Sequence, residues 1–121
     1  MVYTPLEEVA LEAPWFRTRT LLIGDAAHAS LPHMAQGAAM AVEDAVVLAE
    51  LAAADLPMEE RLAQFMARRY ERCRYVQQTS RRTADDQQGS DPAQVEAHQK
   101  YMRENFPRLW TDSERRLAER I

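Results

Sequence analysis

The chain has 121 residues, 46% of them apolar and 28% charged, the balance of one soluble globular domain rather than a disordered segment. With 15 basic and 19 acidic residues the formal charge is −4, which gives no general electrostatic case for nucleic acid. A single cysteine, Cys73, excludes an internal disulfide and favours a reducing, cytoplasmic setting. No apolar run approaches the ~18 residues of a membrane span. Glu7, Glu8 and Glu12 interrupt any basic-then-apolar order of a signal peptide.

Residues 1–17 read as an irregular lead holding Pro5, Pro14 and the apolar pair Trp15-Phe16. Thr18–Gly24 reads as one buried strand, because Leu21, Leu22 and Ile23 form a continuous apolar run. A lone strand leaves its backbone groups unpaired, so it needs partners from a larger assembly or an oligomer that lends strands. Residues 25–35 read as loop, with Pro32 stopping any early helix. The strand and this loop make up residues 18–35.

A helical pair is expected over residues 36–84. The first helix, about Gln36 to Ala54, is apolar on most sides (Met40, Val42, Val46, Val47, Leu48, Leu51 and many alanines), which implies burial against several neighbours. Asp55-Leu-Pro-Met-Glu-Glu then supplies a cap and an acidic first turn. The second helix carries Leu62, Phe65, Met66, Arg69, Cys73 and Val76 as its i, i+3, i+4 stripe. Residues 85–92 read as a linker, and Pro92 opens a helix to about Asn105 with Val95, His98, Tyr101 and Met102 on one face. Pro107 is expected to break it, and Thr111-Asp-Ser-Glu114 to cap a short terminal helix carrying Leu117 and Ile121, so that residues 93–121 hold the C-terminal helices. The fold class is therefore mainly α, with three or four helices and one short N-terminal strand or hairpin.

Chemistry concentrates in Leu21-Leu-Ile-Gly-Asp-Ala-Ala-His28, Pro32, Gln36-Gly37 and Glu43-Asp44. A strand ending in Gly24-Asp25 places a carboxylate at the edge where α/β proteins bind ligands, and an ionised carboxylate suits a sugar-like hydroxyl. A helix opening Gln36-Gly37-Ala38-Ala39 exposes unpaired N–H groups and the positive end of its dipole, with side chains small enough for a ligand to touch backbone. Several readings carry less. Asp25, His28 and His33 lack tetrahedral metal-ligand spacing, so no metal is expected. Glu43 and Asp44 adjoin on a helix and face different directions, against a carboxylate dyad. Cys73 and the methionines Met40, Met58, Met66 and Met102 read as packing, and Arg68, Arg69, Arg72, Arg74, Arg81 and Arg82 as a solvated helix face with some pairing to acids.

The order Gly-Asp-Ala-Ala-His, Pro, Gln-Gly and Glu-Asp-Ala from Leu21 to about Leu51 resembles the second flavin-contacting motif of the class A flavoprotein monooxygenases. That group includes para-hydroxybenzoate hydroxylase, salicylate hydroxylase and 6-hydroxynicotinate 3-monooxygenase. The resemblance implies that the chain is the C-terminal portion of an α/β FAD-binding fold. It implies further that Gly24 and Asp25 meet the ribityl chain of FAD, that Pro32 sits near the isoalloxazine, and that the N–H groups of Gly37, Ala38 and Ala39 face its N1–C2=O edge. Asp44 takes the family's acidic position on that helix, as an anchor rather than a catalyst, and His33 is placed to approach substrate. The implied parent reaction is hydroxylation of an aromatic or heteroaromatic small molecule with FAD, NAD(P)H and O2.

Two positions depart from the family, which usually has Gly at Ala35 and often Gly or Asn at Ala39; a methyl is tolerated there only where φ is negative. No Gly-x-Gly-x-x-Gly occurs in the chain, so the site for the ADP half of FAD is absent from it, and the chain alone is expected neither to retain FAD nor to be active. The alternative is a stand-alone helical interaction module without catalysis, forming a homodimer through an exposed apolar helix face or strand exchange.

Overall fold

The structure is a computed structural model and describes residues 7–87 and 92–119. Its elements are the strands β1 (Phe16–Arg17) and β2 (Thr20–Leu21), then the helices α1 (Asp25–His28), α2 (Gly37–Ala53), α3 (Met58–Gln87) and α4 (Pro92–Ala118), with a 3-10 turn at Pro32–Met34. The chain is thus mainly helical with an N-terminal hairpin, and it divides into two compact units at Arg81–Arg82.

The expected single strand over Thr18–Gly24 is instead the second arm of a hairpin. Phe16 pairs with Leu21 and Arg17 with Thr20, antiparallel, and Leu22 N donates to Trp15 O at 2.9 Å. The turn falls at Thr18-Arg19, with Thr18 at φ 53, a place in tight hairpins that favours glycine. Trp15-Phe16 was the missing partner, close in sequence and hidden by the polar run between. The apolar run is not buried throughout either, since Leu22 is 38% exposed.

Residues 25–35 are not plain loop. Gly24 O accepts from Ala27 N and His28 N, both at 2.9 Å, closing the one-turn helix α1. Pro32 does not stop a helix, since α1 already ends at His28; it opens the 3-10 turn. The lead segment lies beside α1: Val9 N donates to Ala29 O and Leu11 N to Ala27 O, each at 3.1 Å. Gln77 of α3 fastens both strands of this pairing, its Nε2 donating to Val9 O (2.6 Å) and Ala29 O (3.1 Å).

Helix α2 follows from its alanine-rich composition. Only Met40, Asp44, Val47 and Leu51 are buried along it, a single i, i+4, i+7, i+11 stripe. Val42 and Val46 on the other side are 64% and 43% exposed, so the expected burial on most sides is not found within this chain. Pro57, not Asp55, holds the position ahead of α3: Arg61 N donates to Pro57 O at 3.1 Å, and Glu59 and Glu60 fill the acidic first turn. Arg61 also donates to Ala52 O (3.1 Å), a carbonyl that the end of α2 leaves open, and to Leu56 O in the connection (2.7 Å).

The expected α3 stripe is the core. Phe65, Met66, Arg69, Cys73 and Val76 are buried and Leu62 is half-buried, while Met40, Val47 and Leu51 of α2, Trp15 and Ala27 are buried as well. Removing Phe65, Val47 or Val76 from water contributes roughly 1.5–3 kcal/mol each. Met58, expected to fill core, is exposed.

The second unit contains α4, which runs from Pro92 to Ala118 without stopping at Pro107. The break expected there does not occur, because proline removes one ladder bond without forbidding the next turn. Thr111 correspondingly caps nothing; its hydroxyl donates back to Pro107 O at 2.8 Å, as threonine does inside a helix. Val95 and Met102 are half-buried and Tyr101 is exposed, whereas the side chain of His98, the stretch 88–91 and Ile121 lie outside the described residues. No described helix is long and apolar enough to cross a membrane.

Candidate functional site

Gly24 stands at the junction of β2 and α1 with φ +58, a left-handed conformation that side chains resist. A Cβ there would lie 3.3 Å from the Cβ of Ala41, so α2 closes directly on this glycine. From that turn, Ala27 and His28 point inward and are buried, while Asp25 and Ala26 face solvent. The carboxylate of Asp25 is therefore presented at the surface by a backbone that is itself held down.

What holds it is Asp44. Its Oδ2 accepts from Gly24 N at 2.8 Å and meets His28 Nε2 at 2.7 Å, and its Oδ1 accepts from Arg69 Nε at 2.7 Å. Arg69 is completely buried, and it also donates to Glu43 Oε2 at 2.5 Å and to Met40 O at 3.1 Å. Arg72 then grips Glu43 with both ends of its guanidinium, at 2.6 and 2.7 Å. Glu43 and Asp44, expected to face apart, are joined through one arginine that lies between α2 and α3.

Charge balance keeps these groups ionised. Burial alone would push the Asp44 carboxyl up, but the bonds from His28, Gly24 and Arg69 outweigh it and hold it below the usual carboxylate range. Burial likewise opposes charge on His28, yet Asp44 and neighbouring Cys73 raise its pKa to about 9. The imidazole is protonated at neutral pH and packs against Trp15, ring centroids 5.0 Å apart. His28, Asp44 and Cys73 bring their ligand atoms within 4.8 Å of one another. This is a different set from Asp25, His28 and His33, and the charge there is already met: Arg69 reaches Asp44 and lies 3.5 Å from Cys73 Sγ.

The other half of the site is the start of α2. Gln36 provides no side-chain cap, and Met40 N is the first amide bonded within the helix, to Gln36 O at 2.9 Å. The amides of Gly37, Ala38 and Ala39 precede it as the orphan donors of the first turn. Ala38 and Ala39 are exposed, so no side chain stands between these amides and a ligand. Ala39 is helical and accommodates its methyl, whereas Ala35 sits at φ 51, the left-handed conformation that resists a Cβ. Pro32 is exposed in the turn between the two halves, and the buried Nδ1 of His33 has no partner among the described residues.

The sequence singles out Asp25 and the α2 start, and the structure adds Arg69, which the sequence pattern had grouped with a solvated basic face. A signal existed: an arginine inside the apolar stripe of α3, one turn after Phe65 and one before Cys73, is buried at a cost that only an acid on the facing helix offsets.

The chain is similar in sequence to known FAD-dependent monooxygenases. YetM of Bacillus subtilis (strain 168), assigned as an FAD-dependent monooxygenase, is 45% identical over 80 residues, covering 66% of this chain and 22% of YetM. The 2-heptyl-3-hydroxy-4(1H)-quinolone synthase of Pseudomonas aeruginosa (strain UCBPP-PA14) is 46% identical over 80 residues, covering 66% of this chain and 20% of that enzyme. The 6-hydroxynicotinate 3-monooxygenase of Pseudomonas fluorescens is 63% identical over 35 residues, covering 29% of this chain and 9% of the enzyme. The chain therefore spans about a fifth of the length of the first two relatives. The sequence model described as "FAD binding domain" matches residues 8–102, most of the chain, and the chain belongs to that family of FAD-binding domains.

Proposed function

We propose that this chain supplies the ribityl and pyrimidine side of the FAD site in a flavin-dependent monooxygenase acting on an aromatic or heteroaromatic compound. The observation that carries this reading is the pairing of an outward carboxylate with an uncapped helix start along one short segment. Asp25 would accept hydrogen bonds from ribityl hydroxyls, and Gly24 lets α2 approach the turn. Gly37, Ala38 and Ala39 would donate backbone N–H groups to the electron-rich edge of the ring, where the helix dipole favours negative charge. Pro32 would border the ring, and His33, with its unpartnered Nδ1, would face the substrate side.

FAD held there would supply the redox chemistry, with NAD(P)H as reductant and O2 as oxygen source. The chain's own share is to bind, orient and stabilise charge. The names of the relatives support this reading, since the three named above include a nicotinate-ring monooxygenase and a quinolone synthase.

The experiment is a riboflavin titration of the chain, followed by amide chemical shifts. Weak binding is expected, with shifts confined to Gly24–Asp25 and Gly37–Ala39 and lost in Asp25→Ala. Shifts elsewhere, or none at saturating riboflavin, would refute the reading. A reading frame extending upstream into a Gly-x-Gly-x-x-Gly strand–helix start would add independent support.

A second reading, a homodimerising interaction module, rests on the exposed Val42 and Val46. Light scattering at micromolar concentration tests it, and a monomer would exclude it.

A further inference from the structure

The turn bearing Asp25 is gripped at both of its ends by one oxygen. Asp44 Oδ2 takes the Gly24 amide at 2.8 Å and the His28 ring at 2.7 Å, the residues on either side of the exposed Asp25-Ala26 pair. The far edge of the same turn is held by the lead segment, through Leu11 N to Ala27 O and Val9 N to Ala29 O. The second oxygen of Asp44 is turned away into α3, onto Arg69, which is anchored in turn on Met40 O and Glu43. Every lone pair of this carboxylate that faces the turn is thus spent on backbone geometry, and none faces solvent.

We infer that Asp44 is a positioning residue for Asp25: it fixes the left-handed Gly24 and the inward His28 so that the Asp25 carboxylate projects at a set place and angle. This inference rests on the proposed flavin role of Asp25 for its functional meaning. Its geometric content concerns Asp44, Gly24 and His28 alone. An asparagine at residue 44 would keep one acceptor but turn an NH2 group on Gly24 N, His28 or Arg69, so it cannot serve all three donors. The groups facing His28 are Asp44 on α2 and Cys73 on α3, with Arg69 and Glu43 completing the cluster.

The test is NMR on the full chain, free and with riboflavin. In the wild type the Gly24 amide should exchange roughly tenfold or more slowly than those of Asp25 and Ala26, as a buried bonded amide does. The His28 imidazole should carry both ring protons at neutral pH. In Asp44→Asn the Gly24 protection should disappear and the His28 proton be lost at lower pH, while far-UV circular dichroism retains the helices. Should Asp44→Asn not fold, the wild-type pair of measurements decides by itself, and Arg69→Lys, which keeps the charge but loses the fork, should weaken Gly24 protection partway. Unprotected Gly24 in the wild type, or protection indifferent to Asp44→Asn, overturns the inference even if riboflavin binds. Asp25→Asn separates the two claims: it should leave Gly24 protection intact and abolish the riboflavin response. Gly24 protection that follows Asp44, without any riboflavin response, would sink the flavin reading and leave the positioning role standing.

Discussion

The buried imidazole of His28 lies 2.7 Å from the carboxylate of Asp44, and each keeps the other charged. The consequence is a pH dependence of opposite sense to that of an ordinary buried histidine. Because the folded pKa of His28 is raised from 6.5 to about 9, its contribution is complete below about 6.5 and is lost as pH rises through 9. Asp44 is shifted down, so its contribution is complete above the ordinary carboxylate range and is lost on acidification. Thermal melts should therefore show greatest stability between about pH 4 and 6.5 and a decline toward pH 9. His28→Gln should flatten the alkaline limb. A melting temperature that rises from pH 6 to 9 would contradict the pairing.

Arg69 and Arg68 are sequence neighbours with opposite energetic weight. Arg69 is fully buried between two acids, so Arg69→Met strands the Asp44 charge and should cost about 3–5 kcal/mol. Arg68 pairs with the exposed Glu50, and Arg68→Ala should change stability by less than about 1 kcal/mol. Urea unfolding of the two variants measures the contrast. Equal losses would mean that the buried network does not hold α2 to α3.

The contrast also shows what was legible in the sequence. The α3 stripe was readable because burial recurs every three or four residues, and the structure buries Phe65, Met66, Cys73 and Val76 as that spacing demands. The helix expected from about Gln36 to Ala54 differs from α2, Gly37–Ala53, by one residue at each end. The hairpin was named as one option, but its first arm was not legible, since Trp15-Phe16 finds Leu21-Leu22 only through a turn that Thr18 adopts against its preference. Nor was Arg69 distinguishable from its basic neighbours by type. Only its register with Phe65 and Cys73 separates it, and its acids come from a helix 25 residues away. Pro107 misled for a different reason: a rule about average helices does not decide one whose other turns remain intact.

Two left-handed positions make paired predictions about the site's backbone. Ala35 at φ 51 carries a methyl that this conformation resists, so Ala35→Gly should stabilise the fold by about 0.5–1 kcal/mol. Gly24→Ala meets the same conformational cost and, in addition, the Cβ of Ala41 at 3.3 Å, so it should destabilise by more than about 1 kcal/mol. Denaturant midpoints at constant slope are the measurement. A stabilising Gly24→Ala would mean that the turn is not held as described.

Pro107 tests α4 by itself. It is exposed within a 27-residue helix, where it removes the amide that would bond one turn back and crowds the carbonyl of Arg103. Pro107→Ala returns that bond and relieves the crowding, so the helix should gain up to about 3 kcal/mol in local stability. The gain should appear as slower amide exchange from Asn105 to Thr111 and higher helical ellipticity, with His28 titrating as before. If exchange there is unchanged, the proline is not what limits this helix, and the bond that Thr111 makes back to Pro107 O becomes the next candidate for the weak point, through Thr111→Ala.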